Sequence, residues 1–427
     1  MNKKLLLLAG NYYPELTGIG RYNGEMIDWL ADNGFNCTVI SSYPYYPYWK
    51  VQPPYNKKNK KITREIKLTA GNNKITVYRC PHYTPANPTG RGRMLFDLSF
   101  FMAVIFKLTG FTGKKFDYVM TVAPPLPLGL AAAVYKTISK ACFLYHIQDL
   151  QVDAAKELNM ISSKKLLGIL FKAERFILKK ADRISTISKG IQKKLQAKTD
   201  KKIYLFPNWA NTDRFFPIKN NKALKESYCL KPDIPVILYS GAIGEKQGLE
   251  NVLFVAGKFQ EEAKPAQFII CGTGPYKTEL EQKSAAMKLR NIYFLPLQPE
   301  ESLNGFLNIA DVHLIIQKAG VANLVMPSKL SNICAVGGLV AVTAEQGSAL
   351  YDTVVDNDIG LVCLPEDVAE LKKCIEKALA TSHTALQIKA RSFAEKHLCL
   401  NKIMQQYVKE VLGISQPVAA APSLPAK

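Results

Sequence analysis

The chain has 427 residues, of which 48% are hydrophobic, 10% aromatic and only 21% charged. That excludes a disordered chain or one small domain, and suits two globular domains of roughly 200 residues each. The 56 Lys/Arg and 35 Asp/Glu are unevenly spread: residues 1–200 carry 31 against 13, the remainder 25 against 22. A basic first half attracts an anionic partner such as nucleic acid, acidic lipid or a phosphorylated substrate, although a lysine-rich composition without special role gives a similar count.

In chain order, Lys3-Lys4 precede Leu5–Leu8. The apolar run is too short for a signal-peptide core and no small-residue cleavage site follows it, so Lys4–Ala9 reads as a buried strand. A glycine-bearing loop leads into a helix over Gly20–Asn33, with Met26, Ile27 and Leu30 on one face and Gly34 at its end. A strand at Cys37–Ser41 completes one unit of a parallel, doubly wound sheet. Residues 43–93, rich in Tyr, Pro and Lys, break the rhythm. They read as a long loop with a β-hairpin over Ile62–Lys67 and Lys74–Arg79.

Residues 94–111 are the most apolar stretch, with Asp97 and Lys107 inside it. The run is shorter than the ~20 residues a membrane span needs. It reads as a helix with an unusually apolar face, flanked by Arg91, Arg93, Lys114 and Lys115. That makes it a candidate for interfacial membrane contact; an ordinary core helix explains it equally well. The alternation then resumes, with strands at Tyr118–Val122, Ala141–His146, Arg183–Ile187 and Lys202–Phe206. Helices at Pro127–Ile138, Lys164–Lys180 and Lys189–Gln196 separate them.

A second alternation begins after residue 230. Its strands are Val236–Ser240, Gln267–Cys271, Ile292–Leu295, Val312–Ile316 and Leu339–Thr343; its helices are Leu249–Phe259, Thr278–Met287, Leu303–Ile309 and Ser328–Val336. The expected organisation is α/β throughout. A basic Rossmann-like domain over 1–212 is followed by a second over 213–395. One long helix, Ser382–Leu412, crosses back, with 396–412 as its C-terminal part, and the Pro/Ala-rich residues 413–427 form a disordered tail. None of the nine cysteines forms a C-x-x-C pair or a His/Cys cluster, so no zinc site is expected, and an odd scattered set fits a reducing cytoplasm. No helix-turn-helix, RNP or zinc module suggests nucleic acid.

Doubly wound domains bind ligands at the carboxyl ends of their strands, so the loops there matter most. The first, Tyr13-Pro-Glu-Leu-Thr-Gly-Ile-Gly20, combines glycines with a helix start; Gly18 and Gly20 permit close approach of an anion, or serve a plain turn. The second is His146-Ile-Gln-Asp149, where a histidine and an acid could meet sugar hydroxyls or simply pack. The third, Ser240-Gly-Ala-Ile-Gly-Glu-Lys-Gln-Gly248, places Gly241, Gly244 and Lys246 before a helix, a combination suited to a diphosphate. The fourth holds Gly272 and Gly274 in a tight turn; both are candidates for the donor side, with a structural role weighed above direct contact. In the fifth, Pro327-Ser-Lys-Leu-Ser-Asn332, Ser328 is placed to cap the next helix. Lys329 there opposes the helix dipole, which suggests an anionic ligand nearby.

Together these loops resemble the family 4 retaining glycosyltransferases of GT-B fold, nearest to bacterial exopolysaccharide enzymes of the colanic-acid type, over about residues 4–395. The carrying stretches are Tyr13–Tyr22, His146–Asp149, Ser185–Ser188, Phe206–Trp209, Tyr239–Glu250, Gly272–Pro275 and Pro327–Leu330. The resemblance implies two Rossmann-like domains facing across a cleft and a nucleotide-sugar donor, GDP- or UDP-linked. It implies a saccharide or polyprenyl-diphosphate-linked acceptor, net retention, and no metal cofactor. It places Gly18 and Gly20 near the donor, His146 with Asp149 by the transferred sugar, and Lys246 on the leaving diphosphate as a catalytic cation beside His146. Leu297 and Gln298 would edge the base; Ser328, Lys329 and Leu330 would hold phosphate and ribose, with Asn332 where relatives often carry a glutamate.

The chain departs from that family in several places. The two glutamates usual around the Pro327 turn fall at Ala322 and Leu330, the usual arginine is Ala242, and the common lysine position is Gln247. A cytoplasmic enzyme, peripheral on the inner face of an anionic membrane through its basic first domain, is the resulting expectation. An inactive sugar- or membrane-binding subunit and a nucleotide-sugar epimerase are the alternatives.

Overall fold

A computed structural model of the chain describes residues 3–15, 18–57, 59–86, 90–157, 161, 163–319 and 327–414. The chain divides into two units, one of Met1–Pro207 with Met404–Lys427 and one of Asn208–Ile403. The joint thus lies before the 212/213 boundary read from the sequence, and residues from Met404 onward return to the first unit. Most of the expected tail, 413–427, lies outside the described residues.

The first unit carries an eight-stranded sheet: β1 (Lys4–Ala9), β2 (Asn36–Ser42), β3 (Thr63–Leu68), β4 (Lys74–Cys80), β5 (Tyr118–Ala123), β6 (Cys142–Ile147), β7 (Arg183–Thr186) and β8 (Ile203–Leu205). Their order is β3-β4-β2-β1-β5-β6-β7-β8. All neighbours run parallel except the β3–β4 hairpin, which pairs antiparallel in the register Thr63–Arg79 to Leu68–Lys74. Leu5–Leu8 are buried on both faces, which is why β1 reads as a continuous apolar run without alternation. The edge strand β3 alternates part-buried and exposed residues, with Arg64, Ile66 and Leu68 on the exposed face.

The second unit carries a parallel six-stranded sheet: β9 (Val236–Ser240), β10 (Gln267–Cys271), β11 (Ile292–Leu295), β12 (Val312–Ile315), β13 (Val340–Thr343) and β14 (Gly360–Cys363), ordered β11-β10-β9-β12-β13-β14. Alternate residues of β9 feed opposite cores. Val236 and Leu238 join one apolar cluster, Ile237 and Tyr239 the other, as the two-residue period of a strand between two helix layers requires. The last strand, β14, was not among the expected elements; it is four residues long.

In each sheet the strand order reverses beside one central strand. The switch lies between β1 and β5 in the first unit and between β9 and β12 in the second. Open parallel sheets leave a crevice at that point, so the loops after these strands are the places to look for ligand contacts.

The expected single helix over 382–412 is broken. It forms a helix at Thr384–Phe393, a π-helical turn at Ala394–Leu398, and a further helix at Leu400–Glu410. The break is tertiary in origin. Ala210 N donates to Leu398 O at 2.8 Å, Leu400 N donates to Ala210 O at 3.3 Å, and Cys399 between them is extended. Among the described residues no helix is long and apolar enough to cross a membrane.

Candidate functional site

The loop after β9 and the loop after β10 are packed backbone to backbone. Gly241 N donates to Cys271 O at 2.9 Å, and Ile243 N donates to Thr273 O at 3.0 Å. A Cβ on Gly272 would collide with the carbonyl oxygen of Gly241, and one on Gly274 with that of Ile243. Gly272 also sits at a φ of +153°, where side chains are strained. These two glycines are therefore fixed by loop-on-loop packing, the structural role expected of that turn.

Gln247 fixes the second half of the β9 loop. Its Oε1 accepts from Gly244 N at 3.1 Å, closing the short turn Glu245–Gln247, and a side chain on Gly244 would have to displace it. A lysine at position 247 could not accept that bond, because an ammonium has no acceptor. The departure from the expected lysine at this position thus has a local reason. The side chain of Lys246 lies outside the described residues.

Lys329 is the distinctive group of the second unit. The residue is part-exposed as a whole, but its Nζ is buried, and among the described residues nothing accepts a hydrogen bond from it. The ammonium sits 3.6 Å from the centre of the Tyr239 ring. A Cβ on Gly241 would come within 3.3 Å of it, so it is aimed at the glycine of the β9 loop. Burial pulls its pKa down to about 7. Tyr239 is itself held by its hydroxyl, which donates to Ala242 O at 2.6 Å. Among the described residues the aromatic face supplies the attraction this cation has; an uncompensated buried charge of this kind is unfavourable unless an anion joins it.

The other residues expected in this turn divide. Leu330 is buried in the apolar core and does not present its side chain to a ligand. Ser328 does not cap the helix Lys329–Ala335 as expected: its backbone is already αR, its side chain makes no cap bond, and it is exposed. Asn332 is part-buried within that helix, and Ala322 lies outside the described residues. Leu297 and Gln298 follow β11; Gln298 Nε2 donates to Pro296 O at 3.0 Å, and both Gln298 and Ser240 engage the Cys271 thiol. The loop after β11 and the end of β9 therefore meet around Cys271.

Two lysines were missed in the sequence. Lys277 Nζ reaches Leu295 O at 3.2 Å and Gly272 O at 3.4 Å, and Lys318 lies against Gly248. Each follows the carboxyl end of a strand; position relative to the strand was the available signal. Among the described residues no three His, Cys, Asp or Glu side chains are grouped to hold a metal ion.

In the first unit, His146 is the penultimate residue of β6 and is 2% exposed. Gln148 Nε2 donates to its Nε2 at 3.2 Å, so its Nδ1–H donates to Ser185 Oγ at 3.0 Å. The Phe206 ring stands edge-on at 5.0 Å, and that ring stacks on Tyr407 at 4.0 Å. Burial lowers the imidazole pKa to about 3. Of the two readings open from sequence, packed or sugar-facing, the surroundings are those of a packed neutral ring. Asp149 is part-buried at the turn that follows.

The loop after β1 is organised by Glu15. Its Oε1 accepts from the backbone N–H of Tyr45 and of Tyr46, both at 2.8 Å, and its Oε2 from Asn11 Nδ2 at 2.8 Å. Burial raises its pKa. A Cβ on Gly20 would lie 2.9 Å from Glu15 Cβ, so Gly20 is required by packing. Gly18 differs: it has a φ of +57° and nothing within 4 Å of where its Cβ would be. Among the described residues Gly18 therefore faces open space, whereas Gly20 does not.

Residues 16–214 match the family described as Glycosyltransferase Family 4, and residues 220–396 match Glycosyl transferases group 1. Over 419 residues, 96% of this chain and 100% of the relative, it is 36% identical to the putative colanic acid biosynthesis glycosyl transferase WcaI of Escherichia coli (strain K12). The chain belongs to this glycosyltransferase family. It is also 24% identical over 215 residues to the probable glycosyltransferase WbjE of Pseudomonas aeruginosa, covering 50% of this chain and 52% of that one.

The fold of this glycosyltransferase is GT-B. Sucrose-phosphate synthase of Thermosynechococcus elongatus superposes with a TM-score of 0.73 at 16% identity, covering 96% of this chain and 99% of that one. Anabaena Alr3699/HepE, solved in complex with UDP, does so with a TM-score of 0.70 at 11% identity, covering 96% and 100%. The family match makes the protein an enzyme that moves a glycosyl group. It also gives the residues at the strand ends their context, with Lys329 and the β9 loop in the group 1 region and Gly18 and His146 in the family 4 region.

Proposed function

We propose that this enzyme transfers a hexosyl group from a GDP- or UDP-linked sugar to a saccharide or polyprenyl-diphosphate-linked saccharide, with net retention and no metal cofactor, at the inner face of the cytoplasmic membrane. The observation that carries the proposal is the buried ammonium of Lys329 beside Gly241, which has no hydrogen-bond partner among the described residues. A leaving diphosphate at the carboxyl end of β9 would supply its missing counter-charge, and the charge that develops on departure would strengthen that contact. Lys246 would add a second cation; Leu297 and Gln298 would border the base, with Asn332 toward the ribose. Gly18 would let the backbone approach the reacting sugar. His146, neutral and bonded on both nitrogens, would hold the Gln148-Asp149 turn in place instead of moving a proton.

The relative named for colanic acid biosynthesis supports an exopolysaccharide role, and the UDP complex of the Anabaena structure supports a nucleotide donor in this fold. The test is a thermal-shift panel with UDP, GDP, ADP, CDP and TDP, in EDTA and then in Mg²⁺. A ligand bound only to the folded state stabilises it by about 2.7 kcal/mol at a hundredfold excess over Kd. A rise with one nucleotide in EDTA is expected. No rise with any of them in folded protein overturns the donor assignment, and a rise only with Mg²⁺ overturns metal independence.

A further inference from the structure

Three helices of the first unit lie side by side on one face of its sheet. Gly90–Thr109 connects β4 to β5, Pro127–Ser139 connects β5 to β6, and Lys164–Lys180 stands between β6 and β7. All three crossovers advance in the same direction across the strand order, and right-handed connections then put them on the same face. The first packs against the second and the second against the third; Gly129 meets Ile177, where a Cβ would come within 2.8 Å.

The outer side of this layer is apolar to an unusual degree. Along the first helix Leu98, Met102 and Phe106 recur every fourth residue and are 56%, 58% and 73% exposed. Residues four apart lie one above another on a helix, so they form a single ridge. Val134, Ile138 and Phe176 extend the exposed apolar surface across the other two helices. Isolated exposed apolar residues are ordinary; a contiguous ridge continued on neighbouring helices marks an interaction surface.

The charges around it have one sign. By sequence these helices hold two acids, and both are turned away. Glu174 is buried and paired with Lys198 at 2.7 Å, and Asp97 is part-buried with its carboxylate accepting from Gln151 Nε2 at 3.4 Å. The exposed charges are Arg93, Lys164, Lys165, Lys172, Arg175 and Lys179, all cationic. No exposed acid offsets them on these elements, so a protein partner of mixed charge is a poor match and a continuous anionic apolar surface a good one.

We infer that this three-helix face is the surface by which the enzyme seats on an anionic lipid bilayer, with the Leu98–Met102–Phe106 ridge entering the acyl boundary and the lysines and arginines of Lys164–Lys180 meeting lipid phosphates. The inference deepens the proposed membrane-side function and depends on it for its purpose, while the binding itself is independent of the donor. An acceptor carried on a lipid chain would then be met in the plane of the membrane.

The test uses full-length protein in co-sedimentation with phosphatidylcholine vesicles, or vesicles that also contain phosphatidylglycerol, at physiological ionic strength. The wild type is expected to sediment with the anionic vesicles and to be released by high salt. Leu98→Ser/Met102→Ser/Phe106→Ser and, separately, Lys172→Glu/Arg175→Glu/Lys179→Glu should each weaken that binding about tenfold or more. Both sets lie on the surface, and circular dichroism with the nucleotide thermal shift shows whether the fold and donor site are intact. Equal sedimentation with neutral and anionic vesicles, or variants that bind as the wild type does, overturns the inference. So does a dimer in sedimentation velocity that the serine variant dissociates without any wild-type vesicle binding, which assigns the face to a second copy. A nucleotide shift without vesicle binding leaves the glycosyltransferase proposal standing; vesicle binding without a nucleotide shift does the reverse.

Discussion

The ammonium of Lys329 lies 3.6 Å from the centre of the Tyr239 ring, buried, with no hydrogen-bond acceptor among the described residues. With no counter-charge among the described residues, the group costs stability that is recovered when an anion binds.

Lys329→Met should therefore weaken nucleoside-diphosphate binding by about 10- to 100-fold, the range for losing a hydrogen bond to a charged group, while leaving the unliganded protein as stable or more so. Isothermal calorimetry and melting curves measure the two effects. The pH dependence follows from a folded-state pKa of about 7 against an ordinary lysine. The unfolded chain binds more protons above pH 7, so wild-type stability relative to Lys329→Met should rise from there until the unfolded lysine also deprotonates. Diphosphate binding above pH 7 should take up a proton, which calorimetry in buffers of different ionisation enthalpy detects.

Gly272→Ala and Gly274→Ala should each destabilise the protein by about 2 kcal/mol or more, because the new methyl meets backbone that holds the neighbouring loop. Gly18→Ala meets no atom of the described residues and carries the cost of a positive φ, about 1 kcal/mol. Its effect should fall on catalysis more than on the denaturation midpoint. Urea titrations beside turnover of the enzyme with its donor separate the two classes.

Glu15→Ala should loosen the segment carrying Tyr45 and Tyr46 by removing an acceptor for two N–H groups, one buried and one part-buried, at a loss of about 2–3 kcal/mol. Glu15→Gln retains an acceptor oxygen and should lose much less. Because burial raises the Glu15 pKa, the native state holds its proton more tightly. The contribution of this group is most favourable below the unfolded carboxyl pKa and declines as pH rises through the folded one, a trend Glu15→Gln should not show.

His146→Ala should cost about 2–4 kcal/mol through the cavity and the groups it leaves unpaired. The wild-type ring should contribute no inflection to the pH–rate profile between pH 5 and 8, since burial keeps it neutral to about pH 3. Relative to the variant, wild-type stability should be full above the ordinary histidine pKa and decline as pH falls from there toward 3.

Much of this architecture was legible in the residues. Strands such as Leu5–Leu8 and Phe268–Cys271 announce themselves because a strand buried on both faces needs an unbroken apolar run. The glycine loops were legible because few other residues tolerate such turns. The helix at 382–412 was misread because its periodicity continues through a segment whose break is imposed by Ala210, distant in the chain. Ser328 was misread because capping depends on a backbone angle that a serine by itself does not fix.

The sequence by itself determined two α/β halves, the family, and which strand ends would carry glycines and lysines, because these follow from local periodicity and from residue types with narrow conformational uses. Only the tertiary structure decided what those residues do. It gave Gly272 and Gly274 to loop packing and Gly18 to open space, packed His146 between Ser185 and Gln148, and set Lys329 against Tyr239 with no acceptor among the described residues. Burial and the identity of neighbours set the charge state and reach of a side chain, and both depend on segments far apart in the chain.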